Sequence, residues 1–589
     1  MDVFGILSLI GGLALFLYGM DVMGGGLEKL SGGRLERLLE SLTSNPLKAV
    51  LLGAGVTAVI QSSSATTVML VGFVNSGIMK FSQAIGIIMG ANIGTTITSW
   101  LLSLTGIESS NFFIRMLKPS SFTPILALIG IILLMGAASD KKKNVAEILL
   151  GFSVLMFGME AMSSAVKPLA DVPEFTGILT KFSNPLLGVL AGALLTAVIQ
   201  SSSASVGILQ ALSVTGAFTY GSVIPIIMGQ NIGTCVTAMI SAVGASKGAK
   251  RTAFVHLYFN IIGSVLFLLL YSALDMVFQF SFAKDIVGAA GIAAIHSIFN
   301  IFATLALLPF IKALEKLAYL TIPKDQEEEA AAGNEDQFKI LDERFLATPG
   351  FAIEQCMSLT RKMAQMAKDT MLLAMKLFEN YSPEQARLVE QQEDLLDKYE
   401  DKIGAYLAQL NSQNLTAREG QSVSTLMHCI NDFERIGDHA LNLMEIAERM
   451  QKKEMEFSKK ARNEMEVFGA AVTDILERSV EAFVNNDPTL AATVEPLEEV
   501  IDDLNKQLKK HHVKRLRKGK CVVELGLLLT DAAVNYERVA DHCSNLAVYM
   551  IQTEDNTVEA HDYVNNLSGE TKERFEQMMQ EYQEKYHFT

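Results

Sequence analysis

The chain has 589 residues, half of them hydrophobic, and 49 Lys/Arg against 64 Asp/Glu give it a formal net charge of −15. The charge is unevenly divided: residues 1–320 hold 18 Lys/Arg and 14 Asp/Glu, whereas residues 321–589 hold 31 and 50. An acidic second half argues against nucleic acid as a partner, since phosphate backbones require a basic surface. The five cysteines (Cys235, Cys356, Cys429, Cys521, Cys543) lack metal-ligand or disulfide-framework spacing, as expected for reduced thiols in a cytoplasmic setting.

The chain opens on MDVFGILSLIGGLALFLYGM, which begins acidic and shows no clear cleavage site. It reads as a retained membrane helix rather than a signal peptide. An internal repeat follows. Shifting the sequence by 139 positions aligns Ser44–Thr98 with Ser183–Thr237 without a gap, and 29 of the 55 pairs are identical. Each copy holds Asn-Pro, then Gln-Ser-Ser-Ser (Gln61–Ser64; Gln200–Ser203), then IIMG-x-NIGT-x-x-T. Gly19-Met20-Asp21 and Gly158-Met159-Glu160 share the same offset, so the repeat includes the first helix of each half. A long repeat in apolar sequence implies a two-fold membrane architecture with a site between the halves.

Several apolar stretches fall short of the roughly 20 residues needed for a full crossing. The short pair flanking each Gln-Ser-Ser-Ser block predicts a re-entrant hairpin or broken helix, tolerated in a membrane only where its backbone faces protein or water. Residues 182–246 contain no Lys, Arg, His, Asp or Glu, and residues 49–107 contain only Lys80. Amides and hydroxyls cluster there instead: Gln61, Ser62, Ser63, Ser64, Thr66, Thr67, Asn92, Thr95, Thr96 and Thr98, with Gln200, Ser201, Ser202, Ser203, Ser205, Asn231, Thr234 and Thr237. Their oxygens can coordinate sodium and their N–H and O–H groups can hold an oxyanion, helped by helix termini. Small hydroxyl residues also serve membrane-helix packing, which accounts for single serines but not for an identical block returning after 139 residues. An anion held without Arg or Lys needs co-bound cations for neutrality. That requirement favours a coupled cation–anion symporter over an anion pore.

Lys141–Lys143, Lys247, Lys250 and Arg251 lean towards the cytoplasmic side by the positive-inside rule. His256/Asn260 and His296/Asn300 each stand as H-x-x-F-N on one helix face, read as interhelical hydrogen-bonding groups in preference to transport groups. Residues 321–345 are charged and read as a connector. From 346 onwards the apolar spacing is helical, and the tail also repeats: 374–403 parallels 479–508, and NDFERIGDHALNL (431–443) parallels NYERVADHCSNLA (535–547). Two helical bundles follow from this. Glu434, Asp438 and Asn442, like Glu537, Asp541 and Asn545, share a helix face. A cation would relieve such like-charge neighbours, but Arg435 and Arg538 could do so as well, and a solvated face is equally compatible with the spacing.

The duplicated QSSS block with G-x-NIGT resembles the type II sodium–phosphate cotransporter family over roughly residues 4–311. The resemblance implies inverted repeats meeting near the membrane midplane and phosphate transport driven by Na+. It implies a substrate and sodium site at Gln61, Ser62, Ser63, Ser64, Gln200, Ser201, Ser202 and Ser203, with Asn92, Thr95, Thr98, Asn231, Thr234 and Thr237 beside them. The tail resembles the PhoU family of phosphate regulators, two tandem three-helix bundles. That implies a metal site, divalent or iron-type, at Glu434, Asp438, Glu537 and Asp541, with Asp397 and Asp502 on the preceding helices. It also implies a cytoplasmic C-terminal domain.

The expected fold is therefore all-α: membrane repeat 1 (1–140), membrane repeat 2 with following helices (141–320), a linker (321–345) and a PhoU-like helical domain (346–589). The expected function is sodium-dependent phosphate symport at the cell membrane by alternating access, regulated by the tail. A phosphate exporter and a membrane phosphate sensor are the alternatives. The expected partners are phosphate, sodium and lipid, with oligomeric state left open, a homo-oligomer included. No Walker loop, nucleophile elbow or H-E-x-x-H is present, so no enzyme is expected.

Overall fold

A computed structural model describes residues 3–31, 45–107, 111, 116, 118–136, 139–172, 184–323, 337–378, 380–413, 415–519, 521–554 and 569–588. Among these the structure is helical, and no strand forms beyond one isolated bridge between Thr219 and Ile286. The chain divides into two units, Met1–Phe351 and Ala352–Thr589.

In the first unit the sequence repeat reappears as a repeat of helices. Repeat 1 comprises α1 (Val3–Ser31), α2 (Pro46–Ile60), α3 (Ser63–Asn75) and α4 (Phe81–Ser103). After α5 (Pro119–Gly136), repeat 2 comprises α6 (Asp140–Val166), α7 (Pro185–Ile199), α8 (Ser202–Ser213) and α9 (Tyr220–Ser241). Helices α10 (Lys247–Phe278), α11 (Ala289–Leu307) and α12 (Ile311–Thr321) complete it. Seven helical segments among the described residues are long and apolar enough to cross a membrane.

The equivalent helices α1 and α6 run antiparallel. Gly12 lies against Gly158 and Met162, Gly19 against Gly151 and Leu155, and Gly26 against Asn144 and Ile148, so one number rises as the other falls. A Cβ on Gly19 would sit 2.2 Å from the Leu155 nitrogen, and one on Gly158 2.3 Å from the Phe16 nitrogen. Small residues thus let two backbones touch, as membrane helices require when apolar lipid offers no hydrophobic driving force. Antiparallel pairing of equivalent helices is the inverted-repeat relation.

Within each repeat the hairpin is built the same way. Asn45 and Asn184 cap α2 and α7, each followed by Pro at the first helical position, where no N–H is needed. At 15 residues, α2 and α7 each span only about 22 Å, less than the hydrocarbon core of about 30 Å. Gly86, Gly90 and Gly94 of α4 pack against Ala49, Val50 and Ala54 of α2 in rising order, so those helices run in the same direction and α3 must return between them. Gly229 and Gly233 of α9 repeat this against Val189 and Ala193 of α7.

Two contacts fasten the end of this unit. Buried Arg251 donates from Nε to the Ile322 carbonyl at 2.8 Å and from Nη2 to Pro323 at 3.0 Å, with its guanidinium over the Tyr319 ring. Of the expected linker, residues 324–336 lie outside the described residues. The following stretch is folded onto the first unit. Asp342 accepts from Asn75 at the end of α3 and from Arg344, whose Nε donates to the Ser241 carbonyl of α9 at 2.9 Å. Phe345 is fully buried against Phe73 and Phe351, with ring centroids 5.4 and 4.8 Å away. Removing a buried Phe costs about 3–5 kcal/mol. Phe345→Ala is therefore expected to release this stretch, read as new trypsin cleavage at Lys339 and Arg344; continued protection would contradict the packing.

The second unit contains α13 (Pro349–Lys376, whose first turn belongs to the first unit), α14 (Pro383–Asn411), α15 (Ala417–Lys452), α16 (Lys459–Asn485), α17 (Pro488–Ala491), α18 (Glu495–Arg517), α19 (Val523–Glu554) and α20 (Glu570–Lys585). Helices α13–α15 and α16–α19 form the two bundles, joined along α15 and α19. Across that seam His439 Nδ1 meets Asn535 Oδ1 at 2.8 Å and His542 Nδ1 meets Asp432 Oδ1 at 2.7 Å. Equivalent residues exchange contacts, which is the mark of internal two-fold symmetry.

Candidate functional site

The two Gln-Ser-Ser-Ser segments are the breaks between α2 and α3 and between α7 and α8. Gln61 and Gln200 adopt left-handed backbone, φ +61° and +60°, and their N–H groups close the preceding helices onto Thr57 and Thr196 at 2.7 Å. A non-glycine residue in this conformation costs about 1–2 kcal/mol. Using glutamine there twice means that the side chain matters. Ser62 and Ser201 then turn extended and cap α3 and α8, accepting from the Ala65 and Ala204 N–H groups at 3.1 and 3.2 Å. Each break so ends one helix and begins another, turning a helix N-terminus towards the same place.

The two breaks meet. Ser64 Oγ donates to the Gln200 carbonyl at 3.3 Å, across 136 residues of sequence. Helices α3, α4, α7, α8 and α9 carry no charged side chain.

The halves are nevertheless unequal. In repeat 1, Gln61 is buried, donates to the Ala58 carbonyl and accepts from Thr98 Oγ1 at 2.8 Å, while Thr57 donates to Thr66 at 3.1 Å. In repeat 2, Gln200 is exposed, and the hydroxyls of Thr196, Ser205 and Thr237, the counterparts of Thr57, Thr66 and Thr98, are buried with no hydrogen-bond partner. An unmet buried hydroxyl costs about 1–3 kcal/mol. The three lie on α7, α8 and α9, the helices around the second break, and hydroxyl oxygens are groups a small cation can take as ligands.

Other expected residues take different positions. Ser63, Ser202 and Ser203 are buried in the first turns of α3 and α8. Thr95 and Thr234 donate back to Ala91 and Gln230 on their own helices, and Asn231 to Ile227. Asn92 donates to Asn260 at 3.0 Å, and Ser99 meets His296 Nδ1 at 2.8 Å, so both H-x-x-F-N elements reach α4. Buried His256 has neither ring nitrogen paired. Two buried amides escape sequence reading: Gln210 donates to Ser99 and Ala289, and Gln230 to Ser205. Their repeat-1 counterparts are Val71 and Ala91. Buried amides that replace apolar positions where the repeat breaks are the signal that would have found them.

In the tail, the carboxylates of Glu393, Asp397 and Asp438 lie within 4.8 Å of one another. Burial and neighbouring Asp438 push the Glu434 carboxyl up to about 7, against the lowering effect of Arg435. The second bundle behaves alike: burial and Glu537 push Asp541 up to about 6, and burial and Glu495 push Glu498 up to about 8. Arg435 also bonds Asp438 at 2.9 Å, and Arg538 bonds Asp541 at 3.4 Å, so basic partners share the face. The all-oxygen donor set fits a hard cation. Of the residues the sequence offers as ligands, only Asp397 and Asp438 belong to this group; Glu393 on α14 joins them, and among the described residues Glu434, Asp502, Glu537 and Asp541 lie outside it.

Antiparallel repeats with paired broken helices are an architecture in which membrane transporters build a site between the repeats. The profile of the Na+/Pi-cotransporter family matches residues 15–164 and 154–286, and that of the PhoU domain matches 360–447 and 466–550. YqeW of Bacillus subtilis (strain 168) is 31% identical over 45% of this chain and 81% of its own length. YjbB of Escherichia coli (strain K12), provisionally named an inorganic phosphate export protein, is 24% identical over 87% of this chain and 91% of its own. Sodium-dependent phosphate transport protein 2A of Rattus norvegicus is 26% identical over 32% and 29%. The chain belongs to the Na+/Pi-cotransporter family and carries a C-terminal PhoU domain.

Proposed function

We propose that this protein carries inorganic phosphate across the cell membrane by sodium-coupled symport, the repeats alternating access around the two Gln-Ser-Ser-Ser breaks. The observation that carries the reading is the Ser64–Gln200 contact between breaks whose flanking helices hold no charged side chain but Lys48, in the first turn of α2, beside three unpartnered hydroxyls. In this reading phosphate lies between the two helix N-termini, and sodium takes oxygens from Gln200, Thr237 and their neighbours. Asn92, Thr95, Asn231 and Thr234 orient the surrounding helices. The name of the rat relative supports sodium coupling, and that of YjbB supports an outward direction under suitable gradients.

Cation and anion that neutralise each other must strengthen each other's binding by the same factor. Sodium binding to the purified protein, followed with radioactive sodium, is therefore expected to tighten several-fold when phosphate is added. Sodium binding indifferent to phosphate would contradict the coupling.

The PhoU-like tail is read as a cytoplasmic regulator whose acidic faces hold a divalent or iron-type metal, through Glu434, Asp438, Glu393 and Asp397 in one bundle and Glu537, Asp541, Glu498 and Asp502 in the other. A bound cation would stabilise the ionised form of the carboxyls that burial and mutual repulsion make reluctant to lose their protons, Glu434, Asp541 and Glu498. Protons compete with the metal, so affinity falls as pH falls. Loss of one proton near pH 7 predicts an about tenfold rise in Mn2+ affinity between pH 6 and pH 8. A pH-independent affinity, or none, would remove the metal from the account.

A further inference from the structure

The stretch that leads into the tail covers the end of α3, the helix that starts at the first Gln-Ser-Ser-Ser break. There the Asn75 amide is used twice. Its Nδ2 donates to Asp342, and its Oδ1 accepts from the Ser246 N–H, at the start of α10, at 2.8 Å. Asp342 is buried, and Arg344 Nη1 donates to both of its carboxylate oxygens, at 2.8 and 2.9 Å. Through Nε, Arg344 carries the link on to the Ser241 carbonyl of α9. One turn earlier on α3, Gly72 leaves room for the Phe345 ring, which a Cβ there would meet at 2.7 Å. A helix of repeat 1 is thus tied to α9 of repeat 2 and to α10.

The clamp is one-sided. At the 139-residue offset Asn75 corresponds to Val214, which follows α8 and is exposed. The breaks differ as well, Gln61 being buried where Gln200 is exposed. Inverted repeats that alternate access pass such differences from one to the other, so the α2–α3 hairpin has to shift against α9 and α10. A clamp on the end of α3 opposes that shift. Helix α13 begins inside the clamp, where the Phe351 ring lies 5.1 Å from that of Phe73, and runs unbroken to Lys376 in the second unit. Displacement of the tail therefore bears directly on the clamp.

We propose that the stretch around Asp342 and Phe345 is a brake on the carrier, closed in this structure, which the tail releases through α13. The brake presupposes the carrier reading proposed above. Seated, it holds the repeats in one arrangement; lifted, it lets them exchange. It lies at the far end of α3 from the break, so closing it stops turnover and spares phosphate binding.

Cysteines in place of Asn75 and Asp342 test this in the full-length protein. The parental side chains touch, so a short bis-methanethiosulfonate reagent can bridge the pair, and dithiothreitol removes the bridge. Sodium-driven uptake of labelled phosphate into proteoliposomes is expected to be lost on bridging and to return on reduction, with no loss in either single variant treated alike. The bridged protein is expected to bind labelled phosphate with the Kd of its reduced form. Unbridged, the double variant lacks the clamp, and its uptake rate is expected to rise about twofold or more over the parent, since rate follows the fraction of molecules free to move. Arg344→Gln, which removes the ion pair and leaves Asn75 in place, is expected to rise likewise. Bridged protein that transports like its reduced form or no longer binds phosphate, equal loss in a single variant, or unbridged variants no faster than the parent would overturn the brake. A parent protein without sodium-driven uptake would overturn the carrier reading and the brake with it, an outcome distinct from failure of the brake alone.

Discussion

Gln61→Gly is expected to leave the protein folded and to lower sodium-driven phosphate uptake by about tenfold or more, the equivalent of about 1.4 kcal/mol at the site. Glycine adopts φ near +60° without penalty, so the turn between α2 and α3 survives. What disappears is the amide that holds Thr98 at 2.8 Å and fills the interior of the break. Gln61→Ala loses the same amide, and Gln200→Gly makes the corresponding change in the second half, where the side chain is exposed. The comparison separates two roles that one residue combines. Normal uptake by the glycine variants would mean that the turn needs only its backbone shape, and the site would have to be moved elsewhere.

Gly90→Ala should abolish the fold of the first repeat rather than its ligand binding. A Cβ there would lie 1.9 Å from the Val50 carbonyl oxygen, and one at Gly229 2.0 Å from that of Val189. Backbone cannot move aside as a flexible side chain can, so the helices must separate along their length. Overpacking costs about 1–3 kcal/mol where side chains can adjust, and more is expected against backbone. Size-exclusion profiles in detergent are expected to shift to aggregate for both variants. Gly55→Ala is the control, since nothing lies within 4 Å of the added carbon. Monodisperse Gly90→Ala protein with parental thermal stability would contradict the packing of α2 on α4.

Much of the membrane fold could be read in advance because it is written twice. The 139-residue offset that aligns the motifs also aligns the helices: Pro46–Ile60 becomes Pro185–Ile199, and Ser63 becomes Ser202 as a first helical residue. Apolar length alone marked α2, α3, α7 and α8 as too short to cross. Identity between the copies hid the most informative feature, however. Gln61 and Gln200 share motif and backbone, yet one is buried and bonded and the other exposed, because burial is decided by neighbours from other helices. Gln210 and Gln230 went unnoticed for the opposite reason, as they interrupt the repeat. In the tail, carboxylates four apart were visible on α15 and α19, whereas Glu393 joins them only through packing of α14. The stretch around Asp342 and Phe345 looked like connector by composition. It is held by one buried ion pair and one aromatic cluster, too few residues to register as a periodic pattern.

The decisive measurement is uptake of labelled phosphate into proteoliposomes under an inward sodium gradient, with potassium as the control. The account predicts accumulation above equilibrium with sodium, none with potassium, and loss of accumulation in the Gln61→Gly and Gln200→Gly variants. Phosphate that merely equilibrates, at the same rate in sodium and potassium, would contradict the coupled site between the two Gln-Ser-Ser-Ser breaks.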